Sequence, residues 1–233
     1  MKVIRTDAYE ESARVAAGLL LEELAVKPDL LMGLATGSSA EGVYAEMVRA
    51  YRAGKADFSR ARTVNLDEYA GCAEAHSYRK FMDDHLFSRV NLPAENITIA
   101  GHAADPGAEA ARLRTFFAQN RVDVQLLGLG PNGHIGFNEP ADMLCPHTHV
   151  ETLTEATITA NARFFDKAED VPRKAITMGM GDILRARRIV LIVAGEGKRA
   201  ALAQLLKGDT VTARNPGTFL LLHGDVTLVT DYR

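Results

Sequence analysis

Cysteine is scarce in this chain of 233 residues: Cys72 and Cys145 are the only two, and neither has a second cysteine at metal-ligand spacing. That argues against a disulfide framework or a zinc ribbon, and both residues are expected to be reduced thiols. No stretch is apolar enough to span a bilayer. The first residues, MKVIRTDAYEESARVAAGLL, lack a basic start running into an apolar block and a small-residue cleavage site. No secretion signal is read there, and cytoplasmic residence is the expectation. An excess of charge of one sign is missing as well. With 27 Lys and Arg against 30 Asp and Glu, the net charge of −3 leaves no electrostatic footprint for nucleic acid or an anionic membrane. The nearest basic cluster, Arg185, Arg187 and Arg188, reads as a solvated helix end. Low-complexity linkers, internal repeats and charge blocks are also lacking, so residues 1–233 are read as one domain.

What the chain does contain is a regular alternation. Short apolar runs at Lys2 to Arg5, Leu30 to Leu34, Thr63 to Leu66, Ile97 to Ala100, Val122 to Leu129, Ala175 to Met178, Ile189 to Ala194 and Thr227 to Thr230 read as strands. Between them lie amphipathic stretches such as Tyr9 to Leu24 and Glu109 to Asn120, with apolar residues recurring at three and four. This is the pattern of an α/β protein with an open, largely parallel sheet and helices on both faces. Ligands of such folds gather at the carboxyl ends of the strands.

Four strand ends carry residues of interest. Leu30 to Leu34 runs into Ala35-Thr36-Gly37-Ser38-Ser39 and a helical pattern beginning near Ala40. Free backbone N–H groups and hydroxyls at such a turn suit an anion, though no lysine completes a nucleotide loop; Ser38 or Ser39 as a simple helix cap is the plain alternative. Thr63 to Leu66 ends in Asp67-Glu68-Tyr69. A partly buried acid there would be a proton carrier, but from the residues alone a pair of solvated loop acids is the plainer reading. Val122 to Leu129 leads into GLGPNGHIGFNEP, residues 128–140, whose Gly128, Gly130 and Gly133 mimic a dinucleotide fingerprint. That fingerprint needs a helix to begin within the loop, and no helical period follows, so NAD binding is set aside. The loop instead offers Asn132, His134, Asn138 and Glu139 together. A histidine that titrates near neutrality beside a carboxylate and an amide points to acid–base catalysis. His147 and His149 complete no recognised metal spacing, and no site metal is expected. Lys198 opens the helix Ala200 to Leu206, opposing its dipole, which suggests an anionic partner. Arg163 sits in a stretch of poor periodicity that would suit a mobile cover, and arginine favours bidentate phosphate recognition.

Taken in order, these segments closely resemble the glucosamine-6-phosphate deaminase (isomerase) family over nearly the whole chain. The matching residues are Ala35 to Ser39, Asn65-Leu66-Asp67-Glu68-Tyr69, Gly130-Pro131-Asn132-Gly133-His134-Ile135-Gly136-Phe137-Asn138-Glu139-Pro140 and Asn161-Ala162-Arg163-Phe164-Phe165. The third is the most specific. The related 6-phosphogluconolactonases share a Gly-His pair in this loop but lack its Phe-Asn-Glu-Pro ending. The resemblance implies the Rossmann-like fold of these two enzyme groups and conversion of glucosamine 6-phosphate and water to fructose 6-phosphate and ammonia, with no cofactor. It implies that His134 opens the sugar ring with support from Asn132 and Glu139, and that Asp67 moves a proton from carbon 2 to carbon 1. Thr36, Gly37, Ser38, Ser39, Arg163 and Lys198 match or adjoin the family's phosphate-holding positions.

Two departures qualify the match. Many members carry aspartate where this chain has Asn132; an amide cannot titrate, so the electrostatic support of His134 would fall mainly to Glu139. The longer members are allosteric hexamers with basic residues shortly after the Glu-Pro loop and a C-terminal extension. Here that stretch reads His147-Thr148-His149-Val150-Glu151 and the chain stops at Arg233, so a non-allosteric enzyme, and a monomer, are expected. Two rivals remain: a sugar-phosphate lactonase or isomerase on the same scaffold, and a sugar-phosphate-sensing module of a transcription regulator. The second would need a DNA-binding segment for which the first ten residues leave no room.

Overall fold

The computed structural model describes residues 1–162, 165, 167, 170–195 and 197–232. Seven parallel strands form the main sheet: β1 (Lys2–Arg5), β2 (Leu31–Leu34), β3 (Arg62–Asn65), β5 (Ile97–Thr98), β6 (Val124–Gly128), β9 (Arg188–Val193) and β10 (Val226–Thr230). Their order across the sheet is β1-β10-β9-β6-β2-β3-β5. A second sheet, antiparallel, is made of β4 (Asp67–Ala70), β8 (Lys174–Thr177) and β7 (His149–Thr152), in the order β4-β8-β7.

The main sheet is buried on both faces, which is why its strands read as nearly continuous apolar runs. Neighbouring residues of β6 show this: Leu126 packs into one core and Leu127 into the other, and both are fully buried. Each contributes about 2 kcal/mol by leaving water. One face is covered by α1 (Tyr9–Val26), α2 (Ser38–Arg52) and α3 (Tyr78–His85). The α1 residues Ala13, Ala16, Ala17, Leu20 and Leu24, spaced three and four apart, supply the packed stripe. The other face carries α4 (Pro106–Gln119), α6 (Met180–Leu184), α7 (Arg199–Lys207) and the small sheet; α5 (Glu155–Asn161) follows β7.

Of the eight strands expected from the sequence, seven enter the parallel sheet and the eighth, at 174–177, lies in the antiparallel one. β5 is shorter than its apolar run, and β4 and β7 were not anticipated. Strand order reverses beside β2 and β6: from β2 the chain continues outward to β3 and β5, and from β6 it continues the other way to β9 and β10, which pairs with β1 at the far edge. The carboxyl ends of β2, β3, β6 and β9 therefore open onto one crevice, where a ligand belongs in such a sheet.

Candidate active site

A cleft of about 600 Å³ occupies that crevice. Its lining includes the Ala35–Ser39 turn after β2, Asp67 after β3, the loop after β6 and Lys198 after β9. Thr36, Gly37, Ser38, Ser39, Asp67, Asn132, His134, Glu139 and Lys198, all singled out from the sequence, meet here. Arg163 lies outside the described residues.

At the turn, Gly37 has φ of 94°, a conformation glycine adopts without strain, and it caps α2 through its backbone. The helix therefore starts at Ser38, two residues earlier than its apolar period suggests, and neither serine acts as the cap. Ser39 has another partner: the Lys198 ammonium donates to its Oγ at 2.6 Å across 159 residues of sequence. Lys198 stands just before α7 with its backbone N–H donating to the Tyr232 hydroxyl at 3.2 Å. Burial lowers the Lys198 pKa, opposed by Asp231. A partly desolvated ammonium beside a glycine turn and a helix N-terminus is an arrangement, drawn from two strand ends, that suits an anion.

Asp67 leaves the main sheet and begins β4, paired with Thr177. It is only 9% exposed, and its Oδ1 has no hydrogen-bond partner among the described residues. Burial, with the neighbouring Glu68 charge adding to it, pushes its pKa up to about 8. Glu68 points the other way, as strand alternation requires, and is fully buried. It accepts the backbone N–H groups of Tyr69, Tyr78 and Arg79 at 2.8, 2.8 and 2.9 Å, so it caps the start of α3. Burial raises its pKa to about 7 while those three donors pull it down. The reading of these acids as a solvated loop pair is thus overturned: both are strand residues, one facing the cleft and one tying down a helix. Tyr78, which the sequence did not mark, also lines the cleft, its ring 4.8 Å from that of Tyr69.

The loop after β6 contains no helix, as its lack of helical period required. Instead it folds back on itself: the Gly130 N–H donates to the His134 carbonyl at 2.9 Å, and Gly133, at φ of 88°, makes the turn between them. Asn138 pins the loop's far side, its amide donating at 2.8 Å to both Ile135 and the Met178 carbonyl beyond β8. The close return places the His134 ring against Gly130, where any Cβ would lie 2.3 to 2.4 Å from the imidazole.

Asn132 bridges the remaining pair. Its Nδ2 donates to Glu139 Oε2 at 2.8 Å, so its Oδ1 faces His134 and lies 2.7 Å from Nδ1. An amide oxygen only accepts, and Nδ1 must therefore carry the proton, leaving Nε2 with the lone pair. Glu139 Oε1 stands 3.5 Å from the same Nδ1. Burial lowers the His134 pKa, with Glu139 raising it and Lys198 lowering it. Burial thus favours the neutral imidazole, whose Nε2 lone pair is able to accept a proton.

His147 and His149 do not line the cleft. Their rings meet Asp182 at 3.1 Å and Glu151 at 3.2 Å, and among the described residues no group of three His, Cys, Asp or Glu is placed to hold a metal ion. Arg187 and Arg188, expected as a solvated helix end, both pair with Glu23 on α1, and Arg188 opens β9. Among the described residues no helix is long and apolar enough to cross a membrane.

Comparison with known proteins gives the chain its family and its fold. Residues 5–228 match the family model of glucosamine-6-phosphate isomerases/6-phosphogluconolactonase. A protein of Clostridium perfringens named glucosamine-6-phosphate deaminase is 44% identical over 99% of this chain and 97% of its own. A solved structure described as a monomeric glucosamine-6-phosphate deaminase superposes with a TM-score of 0.94 at 40% identity, covering 99% of this chain and 97% of that one. The 6-phosphogluconolactonase of Trypanosoma brucei, at 17% identity and a TM-score of 0.74 over 98% of this chain and 95% of its own, shares the fold.

Proposed function

Because the chain belongs to the glucosamine-6-phosphate isomerase/6-phosphogluconolactonase family, we propose that it converts glucosamine 6-phosphate and water to fructose 6-phosphate and ammonia. The observation that carries this reading is that a buried carboxyl group, Asp67, and a histidine whose neutral form burial favours, His134, line one cleft together with a lysine and a glycine turn that suit an anion. Lactone hydrolysis has no use for a base beside carbon 2, whereas deamination requires one.

The phosphate binds at the Thr36–Ser39 turn with Lys198, and Arg163 completes its shell. His134 Nε2 takes the proton of the anomeric hydroxyl and returns it to the ring oxygen, so the ring opens with no net proton change. The Asn132 carbonyl and the Glu139 carboxylate hold the imidazole and stabilise its brief positive charge. Asp67 then removes the proton of carbon 2, made acidic by the new aldehyde at carbon 1, which yields an enolamine. The ionised form of Asp67 does this step, its share growing as pH rises towards 8, and its raised pKa makes that form a stronger base. Returning the proton to carbon 1 leaves an imine at carbon 2, and water hydrolyses it to the ketone and ammonia.

The chain acts as one domain in this reading, since its first and last strands, β1 and β10, lie side by side. The relative described as monomeric supports a monomer, and two free thiols fit the reducing cytoplasm. No cofactor takes part. One coupled assay tests the whole: glucosamine 6-phosphate should yield ammonia and fructose 6-phosphate with hyperbolic kinetics. Hydrolysis of 6-phosphogluconolactone without ammonia release would replace the reading by the lactonase one, and a sigmoidal curve relieved by N-acetylglucosamine 6-phosphate would refute the absence of allostery.

A further inference from the structure

The Glu139 carboxylate is held from two separate parts of the chain. Oε2 accepts from Asn132 in the same loop, and Oε1 accepts at 3.0 Å from the hydroxyl of Thr157, in the first turn of α5. A carboxylate can only accept, so the Thr157 proton is committed to Glu139. The 3.0 Å contact between the Thr157 and Thr154 hydroxyls must then be donated by Thr154. Thr154 is also the N-cap of α5, accepting the Thr157 backbone N–H at 3.2 Å. A directed chain results, in which Thr154 orients Thr157, Thr157 orients Glu139, and Glu139 with Asn132 orients His134.

We propose that Thr157 is a positioning residue for ring opening, its hydroxyl fixing the carboxylate that supports His134. This rests on the ring-opening role assigned above to His134. Without the Thr157 donor, Oε1 is free to rotate away from Nδ1, 3.5 Å off, and the imidazole keeps only its bond to Asn132. The other charged groups facing the pair are Lys198 before α7 and Asp67 at the start of β4, across the same cleft. Neither hydrogen-bonds Thr157, so a change at this position leaves them in place.

The experiment compares Thr157→Val, which has nearly the same shape without the hydroxyl, with Thr157→Ser, which keeps the hydroxyl. Loss of a donor to a charged acceptor should lower kcat about tenfold in Thr157→Val, with KM within about twofold. With the carboxylate no longer held beside Nδ1, its upward pull on the His134 pKa weakens, so the acidic limb of the pH profile should move down by about half a unit. Thr157→Ser should restore both. The His134 ring titration, followed by NMR without substrate, should move the same way in Thr157→Val. That readout does not need turnover, so it stands even where the deamination assay of the wild type fails. Three results would overturn the proposal: a wild-type profile and titration in Thr157→Val, equal impairment in Thr157→Ser, or lost stability with an unmoved titration.

Discussion

Asp67→Asn should make the protein both more stable and nearly inactive. The substitution keeps the shape of the side chain and removes a carboxylate that folding strips of water. Folding moves the Asp67 pKa from an ordinary 3.8 to about 8. Between those values the folded protein holds a proton that the unfolded chain has released, so wild-type stability is full below about pH 4 and is lost as pH rises towards 8. At 1.36 kcal/mol per unit, the roughly three units below pH 7 amount to about 4 kcal/mol. Asparagine does not titrate and escapes that loss. Glu68 and every other ionisable group are common to both proteins, so the difference curve reports Asp67 together with its coupling to Glu68. Denaturant unfolding at pH 4.5 and 7.5 should show the stability gap growing by about 2 to 4 kcal/mol in favour of Asp67→Asn. Turnover should fall on the order of a hundredfold or more, because no group is left to take the carbon 2 proton. A gap that stays constant or shrinks with rising pH would refute the buried-carboxylate argument; retained activity would refute the assigned role.

Asn132→Asp would place a second carboxylate 2.7 Å from His134 Nδ1, facing Glu139. The added negative charge raises the histidine's pKa, so the acidic limb of kcat/KM should move to higher pH by about one unit, measurable in a pH–rate series; a limb that stays put or moves to lower pH contradicts the geometry. Gly130→Ala tests the fit of the ring against the loop. Its Cβ would lie 2.3 to 2.4 Å from the imidazole, which must shift, so kcat should fall on the order of a hundredfold while thermal unfolding stays close to wild type. Unchanged kcat would show that the ring's position is not required.

The features legible in the sequence were those with local causes. β2 and β9 announce themselves because both faces are buried and the runs are apolar throughout. The His134 loop was legible because its partners lie two and five residues away, close enough for spacing to mean contact. β4 and β7 were hidden, since Asp-Glu-Tyr-Ala and His-Val-Glu-Thr show little apolar patterning and become strands by pairing with β8. The burial of Asp67 and Glu68 was equally hidden, because the donors that cap Glu68 sit at Tyr78 and Arg79, on a helix whose place no local pattern specifies. Lys198 was marked by its position against the helix dipole, but its meeting with Ser39 is a product of sheet topology. Thr157 carries no local signal: its meaning comes entirely from where α5 lands.

The antiparallel β4-β8-β7 crosspiece divides labour in the molecule. The proposed anion site draws on the ends of β2 and β9, which belong to the parallel sheet. Asp67 begins the crosspiece itself, and the His134 loop is clamped to its middle strand by the Phe137 N–H on Thr177 Oγ1 and by Asn138 on the Met178 carbonyl. In the proposed reading, grip comes from strand ends of the parallel sheet alone, whereas the chemistry also depends on the crosspiece that carries Asp67 and holds the His134 loop. The consequence is that a change in the crosspiece can displace Asp67 and the His134 loop together while leaving the Ser39–Lys198 contact in place.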